Sequence, residues 1–135
     1  MRQRALRTVT ALTLALSLSA CIKAVAGEPP LQGSAPSSDQ ARIAAATIHE
    51  LNPRNDRSNV VHIYHIIVFE RFALTDWTAR QGGGKTALAL TPTGRWRVIG
   101  VGGLNITAAG LRSFGVPAHQ ARALTAKMRQ AWEED

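Results

Sequence analysis

Apolar positions recur along this chain in three different rhythms. The first is an uncharged stretch from Thr8 to Ala20, preceded by Arg2, Arg4 and Arg7 and followed by small residues. A positive start, an apolar middle and a small-residue end are the parts of a secretory signal, in order. The stretch is too short to cross a hydrocarbon core, which takes about 20 apolar residues. The second rhythm is helical: Ala41, Ala44, Ala45, Ile48 and Leu51 share one stripe, and so do Ala121, Leu124, Met128 and Trp132 near the end. The third is that of strands. Val60 to Phe69 is dense in Val and Ile, which predicts a strand apolar on both faces and therefore central or covered.

Punctuation between these runs fixes the remaining elements. Ser37 or Ser38 can cap the first helix, with Gln40 at capping-box distance from Ser37, and the helix stops near Asn52, before Pro53. Glu70-Arg71 leads into a second strand, Phe72 to Arg80, although neither residue favours the positive φ of a two-residue turn. Gly82-Gly83-Gly84 reads as the next turn. Lys85 to Thr91 follows it, with Thr86, Leu88 and Leu90 alternating against Lys85, Ala87 and Ala89. Pro92-Thr93-Gly94 turns the chain into Trp96 to Val101, and Gly102-Gly103 ends the sheet. Asn105 or Thr107 can cap a short helix that Gly115 stops, and Pro117 suits the first position of the last helix. The acidic end, Glu133-Glu134-Asp135, opposes the helix dipole and predicts fraying. Short successive connections make the sheet an antiparallel meander. The expected class is α+β, with an N-terminal helix, four antiparallel strands and two C-terminal helices. A curved sheet of this kind covered by helices resembles cystatin-like and cone-shaped folds.

Composition narrows what such a domain can be. The 135 residues divide into a signal over 1–26, a Pro-, Gly- and Ser-rich tether over 27–38 and one domain over 39–135. Aromatic residues are only 5% of the chain, so its core is aliphatic and alanine-rich. The net charge of +7 falls to +4 once Arg2, Arg4 and Arg7 leave with the signal. The remaining basic residues are scattered, and only Trp96 between Arg95 and Arg97 interleaves an aromatic with them, so no nucleic-acid partner is expected.

Two cleavage points define different mature forms. Leu18-Ser19-Ala20-Cys21 looks like a bacterial lipobox, in which Cys21 takes a diacylglyceryl group and becomes the new N-terminus. Ala24-Val25-Ala26 before Gly27 fits ordinary signal peptidase cleavage. The lipobox is preferred, because the chain's single cysteine lies at the one position where a lipobox needs it. An acylated Cys21 would anchor the domain to a membrane. Ile22, which is not Asp, favours the outer membrane by analogy with such lipoproteins. The expected location is the periplasm.

The side chains that carry chemistry are few. Ala79 to Thr86 matches a relaxed phosphate-loop pattern, yet such a loop needs a helix behind it and Lys85 onward alternates like a strand. His49, His62, His65 and His119 raise the question of a metal, since imidazole suits copper or zinc. His62 and His65 would face opposite sides of a regular strand and could share an ion only across a bulge. A site drawing on His49 and one strand histidine is an alternative, and ordinary hydrogen-bonded histidines are the preferred reading. Asp76 beside Trp77 has the type of a general base, but a lone carboxylate with no nucleophile reads as a surface residue, and the chain reads as a non-enzyme.

Several spaced residues together resemble a known family. These are Ala73-Leu74-Thr75-Asp76-Trp77, the glycines Gly82, Gly83 and Gly84 with Ala87-Leu88, and Gly94 with Trp96-Arg97-Val98. Gly102-Gly103 and Leu111 with Gly115-Val116-Pro117, Ala121 and Leu124 complete the set. Over about Ser38 to Ala131 the order is similar to that of small exported bacterial proteins known as copper uptake system-associated proteins. Trp77, Gly83, Gly84, Trp96, Gly102, Gly103, Gly115 and Pro117 would then define the fold. Members often carry a cysteine before the paired glycines and an acid after them, where this chain has Val101 and Leu104. The resemblance implies a non-enzymatic periplasmic accessory in copper uptake. It would work through an outer-membrane or periplasmic copper-transport protein, with copper as the associated metal. The alternative from the residues themselves is a small-ligand-binding envelope domain with an apolar pocket, unrelated to copper.

Overall fold

The computed structural model describes residues 38–135. The expected signal over 1–26, the expected lipidation site Cys21 and the expected tether up to Ser37 lie outside the described residues. Helix α1, Ser38–Leu51, precedes four strands: β1 His62–Phe69, β2 Phe72–Ala79, β3 Gly82–Leu90 and β4 Trp96–Gly102. Helices α2, Ala108–Ser113, and α3, Ala118–Glu133, follow. The strands pair in chain order, all antiparallel, which is the meander that the short connections predict. The fold is α+β. Among the described residues no helix is long and apolar enough to cross a membrane.

The sheet is covered on both faces. Ile43 of α1 packs on Ala73, Leu88 and Trp96, while Leu111, Val116, Ala121, Leu124 and Met128 pack on Leu74 and Ala87 from the other side. This explains the doubly apolar β1. It is an edge strand, not a central one, and it is apolar on both faces because each of its faces still meets a helix. Each fully buried Leu or Ile contributes about 1.5–3 kcal/mol, so the two aliphatic layers supply the bulk of the favourable term. Two pairs of polar groups meet inside: Thr47 and Thr75 hydroxyls lie 3.4 Å apart, and Trp77 Nε1 donates to Thr86 Oγ1 at 3.0 Å.

Turn chemistry departs from expectation at three places. Glu70 takes the positive φ that the β1–β2 turn requires, +56°, despite its side chain. The β2–β3 turn is Arg80-Gln81, and Gly82, Gly83 and Gly84 belong to β3. Gly82 takes a φ of +139° that side chains rarely adopt, while Gly83 and Gly84 serve close approach. A Cβ on Gly84 would lie 2.3 Å from Gly102 O and 3.1 Å from the Trp77 ring, so the bare backbone makes room for that indole. Pro117 is the N-cap of α3 and not its first helical residue. Thr107 caps α2 by accepting from Gly110 N–H. Gly115, at φ +92°, closes α2 with its N–H on Arg112 O and the Val116 N–H on Leu111 O, the double bond of a Schellman motif.

Candidate functional site

A bulge in β1 builds the site. Ile63 pairs with Trp77 and His65 with Asp76, so Tyr64 is the extra residue and the alternation of β1 shifts by one from there. On the far side of β2, Asp76 pairs with Lys85 of β3. Cross-strand partners share a face, so His65, Asp76 and Lys85 form one row under α3. His65 Nδ1 lies 3.7 Å from Asp76 Oδ2, and Lys85 Nζ lies 4.0 Å from Asp76 Oδ1. The carboxylate is 2% exposed, so Asp76 is a core residue and not the surface residue expected from its isolation in the sequence. Asp76 Oδ2 and His65 Nδ1 are buried and neither makes a hydrogen bond within the protein. Lys85 completes its own contacts by donating to the Leu104 carbonyl.

Beyond this row opens a cleft of about 390 Å³. Leu74 and Lys85 line it from the sheet; Leu104, Asn105 and Ile106 line it from the segment joining β4 to α2. Thr125, Met128, Arg129 and Trp132 line it from α3. Trp132 is the fourth residue of the predicted apolar stripe, but it is half exposed while Ala121, Leu124 and Met128 are buried. It stands at the cleft with its ring 4.8 Å from the His65 imidazole, centre to centre. The acidic C-terminal residue is engaged: His65 Nε2 and Asp135 Oδ2 are 2.9 Å apart. Leu104, also exposed, is the other apolar lip.

The arrangement suits electrostatic holding more than proton transfer. Asp76 is not part of the cleft lining, and its nearest charged or titratable neighbours are Lys85 and His65. Lys85 and Arg129 are the charged residues of the lining, and among the described residues no acid joins them.

The histidines divide between the two sides of the sheet. The bulge that the sharing of an ion requires is present: by register His62, opposite Thr78, lies on the same face as His65. His49 is exposed on α1, which packs against the other face, so it is not brought to either strand histidine. His119 stands edge-on to Phe69 at 5.7 Å. Among the described residues no group of three His, Cys, Asp or Glu side chains is placed to hold a metal ion.

Several residues of the resemblance occupy packing positions. Trp77 and Trp96 are tied by side-chain hydrogen bonds to Thr86 and Asp39. Gly83 and Gly102 leave space that Trp77 O and Ile106 occupy closely, whereas Gly103 faces open space. Gly100, which sequence reasoning passed over, is the tightest of these contacts with a side chain, since a Cβ there would fall 2.3 Å from the Phe114 ring. Lys85 was equally hidden: its helical-loop context in the glycine pattern fails, and only its pairing with Asp76 gives it a role.

Comparison with known proteins adds no identity: no family model, no curated protein and no solved structure matches the chain.

Proposed function

We propose that this domain is a non-enzymatic binding module of the bacterial envelope that takes a small, partly apolar ligand in the cleft beneath α3. The observation that carries the reading is the cleft itself. Its volume of about 390 Å³ lies within the roughly 300–1,000 Å³ of small-molecule sites, and apolar side chains with a few polar groups line it. Two of its apolar walls, Leu104 and Trp132, are half open to solvent and would gain burial from a ligand. The signal-like order of residues 1–26 supports an address beyond the inner membrane. Amide chemical-shift mapping with a set of neutral and charged eight-carbon amphiphiles tests it. Perturbations concentrated at Leu104, Ile106, Met128 and Trp132 are expected, and shifts scattered over the surface, or none, would remove the reading.

A second reading is the accessory role in copper uptake, through an outer-membrane or periplasmic copper-transport protein. What supports it is the bulge that aligns His62 and His65 on one face, two imidazoles of the kind that suit copper. Copper titration of the protein separates the two readings. Micromolar or tighter binding that disappears on replacing His62 and His65, but not His49, favours a direct copper role. Capture of a copper-transport protein without such binding favours the partner role.

A further inference from the structure

The cleft has a charge as well as a shape, and the charge specifies the class of ligand. Of the two cations in its lining, Lys85 has the buried Asp76 carboxylate 4.0 Å away and its ammonium on the Leu104 carbonyl. Arg129 is exposed on α3 and makes no ion pair among the described residues. The lining contains no acid to offset it. One cation is therefore left over at the mouth, three residues from Trp132 on α3, and Trp132 and Met128, four apart, present their apolar surfaces to the same cleft. A cleft with apolar walls and one uncompensated positive charge complements a molecule with an apolar body and one negative charge. The guanidinium fork matches the two oxygens of a carboxylate. The volume equals that of about a dozen water molecules at roughly 30 Å³ each, so the part of a guest inside the cleft is about ten to fifteen non-hydrogen atoms.

Resting on the cleft reading above, we propose that the ligand is a compact amphipathic carboxylate of about eight to ten carbons, its head paired with Arg129 and its tail against Leu104, Ile106, Met128 and Trp132. Lys85, offset by Asp76, forms the polar floor of the cleft.

The test uses the full-length chain titrated by calorimetry with octanoate, octanamide and octylammonium, which share a tail and differ in charge. Octanoate is expected to bind at least tenfold more tightly than octanamide, with octylammonium weakest. The preference should shrink severalfold between 0.05 M and 0.5 M NaCl. Arg129→Gln, on an exposed helix position, should bring octanoate and octanamide to parity, Arg129→Lys should keep part of the preference, and Trp132→Ala should weaken all three probes. If octanamide matches octanoate in the unaltered protein, or if Arg129→Gln leaves the preference intact, the carboxylate proposal is wrong while the cleft remains a ligand site. If none of the three probes binds, or Trp132→Ala changes none of them, the cleft reading fails and takes this proposal with it.

Discussion

Asp76 and Lys85 face each other across β2 and β3 with 4.0 Å between Oδ1 and Nζ, and their side chains are only 2% and 12% exposed. A charge held so far from solvent depends on its partner, because removing one member of a buried pair leaves the other without compensation. Asp76→Ala should cost roughly 3–5 kcal/mol in urea unfolding. The paired change Asp76→Leu with Lys85→Met should recover most of that loss, since apolar residues of similar volume often replace a buried ion pair without penalty. Recovery of less than a third in the double variant would mean that the carboxylate does something besides balancing Lys85.

The glycines of β3 and β4 are not equivalent. Gly84→Ala places a methyl group against the Gly102 carbonyl and the Trp77 ring, and backbone on a paired strand has little room to give. A loss of about 1–3 kcal/mol is expected, as for other overpacked interiors. Gly103→Ala faces open space and should stay within about 0.5 kcal/mol of the parent. Thermal midpoints measured side by side decide this, and equal losses at both sites would contradict the close-approach account.

Helix α2 has six residues and depends on its ends. Thr107→Ala removes the acceptor for the Gly110 N–H and should destabilise the protein by about 0.5–2 kcal/mol, whereas Thr107→Ser should keep the cap. Hydrogen exchange at Gly110 should quicken in the alanine variant and not in the serine one.

Leu124 is fully buried where α3 meets the sheet. Truncation to alanine leaves a cavity between two layers whose backbones cannot collapse onto it, and the expected loss is about 2–5 kcal/mol by chemical denaturation. The same truncation at Ile48, exposed on α1, should cost less than about 1 kcal/mol.

The loop between α1 and β1 carries a pH signature. Asp56 is held below its ordinary value because its carboxylate accepts from the Ser58 backbone N–H and the Ser58 hydroxyl. A carboxyl depressed in the folded protein stabilises it above the unfolded-state value, and that contribution fades as pH falls through the lower folded value. The Ser58 amide resonance should therefore titrate below the usual aspartate range. Asp56→Asn should abolish that titration without changing the signals of the sheet.

Local pattern in the sequence was enough for the order of elements. The helical stripe of Ala121, Leu124 and Met128, the alternation in β3 and the short connections each depend on near neighbours in the chain, where periodicity and turn chemistry act directly. The triple glycine reads as a turn but lies in β3 for the same reason, because glycine serves equally for tight bends and for close approach, and only the partner strand shows that Gly83 and Gly84 serve the second. The cleft and its charged row belong to the tertiary structure alone. One extra residue at Tyr64 moves His65 opposite Asp76, and a bulge leaves no mark in composition or spacing. Whether a carboxylate is surface or core, and which lysine it holds, follows from strand register and from the helix laid over it, both set by contacts between residues far apart in the chain.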